Sequence, residues 1–285
     1  MSSHSRTQLI DTFQFGMPGV GAAYLLHGRR CVLIDTGTRA TVRRWMDRLH
    51  SVDLCAILLT HVHSDHAGGL HAILTAHPEA VVYVASEGVE HLVDPSRLND
   101  SVRKTAGRLG LWYGELLPVQ ERRVCAIEDD AELTLADDIS VRAIRTPGHA
   151  PHHICYLGSR SNELFCGDAV GVRRFRSALP ATSPPSFDLK SSLESLQKLV
   201  SCAPDRLCLT HFGEAPAAIS VMEDYACQLS RWIARIGEHT RALISDDRVI
   251  ATVLEEEAAH DWPEPLKEEL AMFVRGAMRY IRKVI

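Results

Sequence analysis

The sequence predicts a layered α/β fold, and three observations carry that expectation. Short apolar runs of strand length alternate with stretches of helical period along most of the chain. Four of those runs end in loops that begin with histidine or aspartate, the way a rigid strand presents polar groups at its tip. A chain of 285 residues is long enough to bury a large core.

Taken in order, residues 8–15 alternate loosely as a first strand. Apolar runs at 19–26 and 30–34 flank His27-Gly28, a hairpin signal. Asp35-Thr36-Gly37-Thr38 ends a strand and leads into a helix over 39–49. Thr38 is its N-cap, and Val42, Trp45, Met46 and Leu49 share one face. The apolar run 55–59 reads as a buried strand, followed by a helix at 70–76 and a strand at 80–84. Residues 86–120 break this rhythm. They are helical in two pieces joined at Asp94-Pro95, a candidate insertion over one edge of the core.

Strands resume at 123–127, 139–145, 153–157 and 163–166. The proline-rich stretch 179–187 is an ordered loop or a linker. Asp188 caps a helix with Leu189, Leu193, Leu196 and Val200 inward, and 206–209 is one more strand. The remainder is helical: a long helix over 217–236, then a last one after Pro263 and Pro265. That last helix carries the stripe Leu266, Leu270, Phe273, Ala277 and Ile281, suited to core packing or to a homodimer contact.

Charge and composition exclude several classes. A formal net charge of -5 gives no basic footprint for nucleic acid. No apolar stretch approaches the roughly 20 residues that span a bilayer, and the first eleven residues hold no apolar signal core. The expectation is a cytoplasmic protein with a small-molecule substrate and neither membrane nor nucleic acid as partner. The eight cysteines are scattered without a C-x-x-C pair, and most lie in apolar runs. They read as buried thiols, not as a disulfide framework.

The four polar strand ends carry the chemistry. They are LLT-His61-Val-His63-Ser-Asp65-His66-Ala-Gly-Gly, then TPG-His149, then CG-Asp168, then LT-His211. Imidazole and carboxylate are donors for zinc, and they suit iron and manganese too. Five histidines and two aspartates are too many for one tetrahedral ion and about right for two ions sharing a bridging carboxylate. Such a pair lowers the pKa of water from 15.7 toward about 7 and so supplies hydroxide at neutral pH. In His61-x-His63, alternate residues of an extended segment point the same way. Gly68-Gly69 lets the backbone pass close to the metals.

His61-x-His63-x-Asp65-His66 with Gly-Gly, TPGH at 146–149, GD at 167–168 and TH at 210–211 resemble the metallo-β-lactamase superfamily in order and separation. The resemblance covers about 8–215 and implies a four-layer αββα sandwich with metals at one edge of its sheets. It implies a catalytic domain over 1–215, with helices over 216–285 packing on it. It further implies that His61, His63 and His149 hold one metal, that Asp65, His66 and His211 hold the other, and that Asp168 bridges them. TPGHAPHH, DPSRL, GELLPV, the proline-rich loop and LTHFG resemble more narrowly a group of prokaryotic hydrolases of this fold. That resemblance does not supply their substrate.

The expected function is binuclear metal-dependent hydrolysis of an ester, thioester, lactone or phosphoester by metal-activated hydroxide. Zinc is the first expectation for the two divalent ions, with iron or manganese as alternatives, and Asp65 both ligates and passes protons. Two rival readings stand beside it: a non-haem iron oxidoreductase acting on a thiol or persulfide, and a non-enzymatic metal-binding protein. A β-lactam substrate is disfavoured by the missing secretion signal, and nucleic-acid cleavage by the missing basic patch.

Around the cluster, Asp35 is expected to support the metal loop. His152 and His153 either orient substrate and ligands or serve a turn and the core. Arg173, Arg174 and Arg176 form a cationic wall or a solvated loop. Trp112, Tyr113, Phe175 and Phe187 are candidate pocket residues, with core packing the competing role. His4, His27, His71, His77, His91, His239 and His260 read as ordinary surface residues.

Overall fold

A computed structural model describes residues 6–136, 138–174, 177–179, 186–242 and 245–284. The first half of the chain forms a six-stranded sheet in sequence order: β1 (Arg6–Asp11), β2 (Ala22–His27), β3 (Cys31–Ile34), β4 (Leu54–Leu58), β5 (Val81–Ala85) and β6 (Val124–Ile127). Its first three strands are antiparallel, and β3 to β6 run parallel. The second sheet contains β7 (Glu132–Ala136), β8 (Ile139–Arg145), β9 (Ile154–Gly158), β10 (Glu163–Phe165), β13 (Arg206–Cys208) and β14 (Glu214–Ala215), in the order β14-β13-β10-β9-β8-β7. A separate hairpin pairs β11 (Val172–Arg174) with β12 (Ser177–Leu179).

Strand residues alternate between two apolar environments, and this alternation sets the layers. In β2, Ala22, Tyr24 and Leu26 face the space between the sheets, where they meet Ile154, Tyr156 and Phe165 of the second sheet. Ala23 and Leu25 face the other way, toward Trp45, Leu70 and Ile73. In β9 and β10, Cys155 and Leu164 point outward onto Leu196, Met222 and Phe273. The central strands of both sheets are covered on both faces, which is why they read as near-continuous apolar runs. The result is the four-layer αββα sandwich that the resemblance implied.

The outer helices are α1 (Ser64–Ala67) and α2 (Leu70–Ala76) on the first sheet, and α6 (Leu189–Ser201), α7 (Ala218–Ala242), α8 (Asp246–Glu256) and α9 (Glu264–Val284) on the second. Asp188 caps α6, its side chain accepting from the Ser191 N–H at 2.8 Å. The predicted α9 stripe is buried throughout. On α6 the inward face is rotated: Ser192, Ser195, Leu196 and Leu199 are buried, while Leu189, Leu193 and Val200 are partly so. The two serines can face inward because their hydroxyls donate to Asp188 O and Pro147 O.

The segment 39–49 is two 3-10 turns, Val42–Arg44 and Met46–Leu49, not one α-helix. Its predicted face still packs, with Trp45 at 1 % exposure. The β-branched pair Thr41-Val42 at its start disfavours regular helix. The insertion holds three helices instead of two: α3 (Val89–Val93), α4 (Ser96–Thr105) and α5 (Leu109–Tyr113). The break at Asp94-Pro95 falls between the first two.

The polar strand ends now have a common address. β8 and β10 each pair antiparallel with β9, and β10 pairs parallel with β13. The C-terminal ends of β8, β10 and β13 therefore lie on one edge of the second sheet. β4 delivers its own end there from the first sheet. Hydrogen bonds tie the sheets at this edge, among them Ile154 N–H to Thr60 O at 2.8 Å, Tyr156 O–H to Leu59 O at 2.8 Å, and Ala22 N–H to Thr210 O at 2.7 Å.

Phe273, fully buried on α9, joins a cluster that also holds sheet residues Ile144, Leu164 and Leu207. Phe273→Ala is expected to cost about 3–5 kcal/mol. Urea unfolding followed by circular dichroism should keep a single transition. A separate early transition for the C-terminal helices would contradict a shared core.

Candidate metal centre

The loop after β4 carries His61, His63, Asp65 and His66. The loops after β8, β10 and β13 add His149, Asp168 and His211. All except the half-buried His63 are buried. The structure brings these seven together in overlapping groups whose ligand atoms lie within 4.8 Å of one another: His61, His63 and His149; His61, His66 and Asp168; Asp65, His66 and His211.

In the first group, His63 Nδ1 lies 2.9 Å from His61 Nε2 and 2.9 Å from His149 Nε2. In the second half, Asp168 Oδ1 is 3.0 Å from His66 Nε2 and 3.2 Å from His211 Nε2, while Oδ2 is 3.3 Å from His149 Nε2. Asp168 thus turns one oxygen to each group. Asp65 Oδ2 stands 3.8 Å from His211 Nε2 and 4.0 Å from His66 Nε2.

The groups fit a cation better than they fit each other. His66 Nε2 and Asp168 Oδ1 are fully buried and close, yet neither makes an aligned hydrogen bond. Hydrogen bonds from behind orient the rings. His66 Nδ1–H donates to Asp35 Oδ2 at 2.9 Å, which turns Nε2 toward Asp168. His61 Nδ1 lies 3.2 Å from the Thr60 hydroxyl, and that hydroxyl donates to Asp35. A chain of buried acceptors of this kind is costly unless a cation fills it.

Electrostatics divides the site. Burial, reinforced by neighbouring imidazoles, holds His61 and His63 well below the ordinary imidazole value. It pulls His149 to about 4. Burial also opposes charge on His66 and His211, but the Asp168 carboxylate, with Asp35 and Asp65 helping at His66 and Asp65 at His211, outweighs it and raises both. Asp168 is buried too, yet His66, His211 and His149 hold it well below the carboxylate range. Burial, aided by Asp168 and Glu269, raises Asp65.

Asp35 has the supporting role expected of it. It is 1 % exposed. Oδ1 accepts from the Thr60 N–H at 2.9 Å, and Oδ2 accepts from the Thr210 hydroxyl at 3.0 Å and from His66. His153 also works from behind. Its Nε2 accepts the Asp168 N–H at 3.1 Å, which puts its proton on Nδ1, 2.8 Å from the Thr146 hydroxyl. Gly167 at φ 47 permits this, because a Cβ there would lie 2.6 Å from His153 Nε2.

Gly68 and Gly69 play a different part from the one predicted. Added Cβ atoms would strike Ser64 O, Arg39 N and Thr36 O at 2.3–2.5 Å. They let the end of this loop pack closely on the backbone of Ser64 and of the Thr36 and Arg39 segment.

A cavity of about 350 Å³ opens over His63, Ser64 and Asp65. His152 and Tyr113 line it, as does His91, which the sequence reading had assigned to ordinary surface. Burial lowers His152 to about 3. Trp112 packs edge-on against Phe15, and Phe187 packs against Tyr280. Phe175 and Arg176, and the side chains of Arg173 and Arg174, lie outside the described residues, as does the proline-rich loop from 180 to 185.

Sequence reasoning missed Glu269 of α9, buried and accepting from Gln14 Nε2 at 3.1 Å and from the Tyr113 hydroxyl at 3.3 Å. The signal was a glutamate falling on the inward stripe between Leu266 and Leu270. Thr60 and Thr210 were signalled by the repeated Leu-Thr-His at strand ends.

Metal loading should release protons, since the Asp168 carboxylate raises His66 and His211 and both must be neutral to ligate. Affinity at that pair should rise with pH until the raised imidazole values are passed, then level off. The already neutral His61, His63 and His149 group should respond less. Calorimetric zinc titrations in buffers of different ionisation heat would measure this; zero proton release at neutral pH contradicts it. Asp35→Asn should lower metal affinity about 10–100-fold.

The family described as the metallo-beta-lactamase superfamily matches residues 16–211. The metallo-beta-lactamase fold-containing protein of Sulfurisphaera tokodaii is 31% identical over 219 residues, covering 74% of this chain and 79% of the relative. Its crystal structure superposes with a TM-score of 0.73 at 25% identity, over 99% of this chain and 100% of that one. A thioesterase of Emericella nidulans is 30% identical over 148 residues, 50% of this chain and 33% of its own. A hydroxyacylglutathione hydrolase of Cupriavidus taiwanensis is 30% identical over 177 residues, 60% of this chain and 58% of its own. Among the described residues, no helix is long and apolar enough to cross a membrane.

Proposed function

The chain belongs to the metallo-beta-lactamase superfamily, and we propose that it is a binuclear metal-dependent hydrolase of a small-molecule ester or thioester. The observation that carries this reading is the position of Asp168, one oxygen toward His149 and the other toward His66 and His211. A carboxylate so placed is the natural bridge of a pair of ions. In this reading His61, His63 and His149 hold one ion, Asp65, His66 and His211 hold the other, and Asp168 serves both. When bound, such a pair supplies a nucleophile at neutral pH and polarises the scissile bond. The relatives named thioesterase and hydroxyacylglutathione hydrolase support an acyl substrate.

The chain's own residues supply the rest. Asp35 and His153 fix the orientation of His66 and Asp168, which keeps the donor set preorganised. Asp65 Oδ2 takes the proton of the attacking water and returns it to the leaving group, a role suited to a carboxyl raised by burial. Zinc is the proposed metal. Imidazole and carboxylate donors bind iron as well, so metal content is part of the test.

Elemental analysis after expression in a balanced metal supply should find about two zinc per chain. Turnover should appear in a panel of esters, thioesters, lactones and phosphodiesters, stop on chelation and return with zinc. Iron, or one metal without hydrolysis, would replace this reading with an oxidoreductase tested by oxygen uptake. Asp65→Ala should reduce kcat by about 10²–10⁴-fold while the midpoint of unfolding moves little. A near-normal rate at full metal content would remove Asp65 from proton transfer.

A further inference from the structure

The cavity above the metal centre has a composition that the seven polar residues beneath it do not explain. Leu98, Val102 and Ala106, from α4 and the turn after it, form one wall with Met272 of α9. His63, Ser64, Asp65 and His152 form the floor. Ser64 and His152 are 3 % and 5 % exposed. Ser64 Oγ and His152 Nδ1 are buried and make no hydrogen bond with any described residue. Polar atoms buried in that state are costly unless a ligand satisfies them. Arg97 is the only arginine or lysine among the described lining residues, and it is 80% exposed and spent on Glu90 at 3.7 Å. A phosphorylated or otherwise anionic substrate would find little there to hold it.

Resting on the hydrolase reading above, we propose that this chain selects an ester or thioester with a medium-length apolar group beside the scissile bond. The apolar group lies between α4 and α9, and the polar atoms next to the scissile bond lie over His152, which lines the floor. A volume of about 350 Å³ is at the small end of ligand pockets. It suits a chain of intermediate length and excludes a long acyl tail held in full. The insertion is thus a specificity element, because it supplies the wall.

The test uses the zinc-loaded full chain. One series is p-nitrophenyl esters from acetate to dodecanoate, with the matching N-acetylcysteamine thioesters. The other is acetate esters of alcohols of growing length, which tells an apolar acyl side from an apolar leaving side. In one of the two series kcat/KM should rise about fourfold per methylene, then fall once the cavity is full. Rates that are flat or falling in both series overturn the proposal and leave the hydrolase reading intact, whereas turnover confined to phosphodiesters overturns the proposal and the ester or thioester substrate of that reading together. A fully metallated chain that hydrolyses nothing sinks both.

Val102→Trp should cut the preference for octanoate over acetate about tenfold at unchanged metal content. His152→Ala should lower kcat/KM on every ester about tenfold while keeping the slope with chain length. An unchanged octanoate preference in the first, or an unchanged rate in the second, overturns the assigned binding mode.

Discussion

Asp35 is the constraint on which the site depends. A buried carboxylate is expensive, and this one is offset by donors from two loops: the Thr60 amide and hydroxyl and His66 after β4, and the Thr210 hydroxyl after β13. Its own backbone sits at φ 57, a strained conformation for a side-chain-bearing residue. The strain is tolerated because the surrounding bonds over-determine it. By holding Thr60 and Thr210 to one carboxylate, Asp35 fixes the separation of the two sheets where the histidines emerge. Tyr24 and Tyr156 reinforce the same edge, each sending a hydroxyl from one sheet to a carbonyl of the other.

The two halves of the polar cluster are prepared differently. The trio of His61, His63 and His149 is held neutral by burial and mutual repulsion. In the half containing His66 and His211, the Asp168 carboxylate favours the charged imidazoles and is itself held low by them. Neutral lone pairs are ready to bind at once, whereas imidazoles that favour a proton must give it up to an ion. One scaffold therefore offers two unlike coordination environments joined through one carboxylate.

Much of this was legible in the sequence because the strands are buried on both faces. Their apolar runs are unambiguous, and the end of each run marks a polar tip, so His61, His149, Asp168 and His211 stood out by position. Asp35 was legible as a strand-end residue beside Thr36-Gly37. What was not legible depends on contacts distant along the chain. Glu269 looks like one more charge on an amphipathic helix until Gln14 and Tyr113 meet it. His91 looks like surface until the insertion folds back over the centre. β7 escaped notice because its residues are exposed or only partly buried and lack a strong alternation, and the 3-10 turns of 42–49 mimic a helical face without helical length.

The reach of α9 back to the beginning of the chain has a consequence for the pocket. Glu269 accepts a hydrogen bond from Gln14, and Met272 completes a cavity whose other lining residues come before 212. That helix is also part of the core over the second sheet, where Phe273 packs with Ile144, Leu164 and Leu207. Enclosure of the pocket is therefore tied to the docking of α9, and a change that loosens this helix also unseats the wall over the polar cluster.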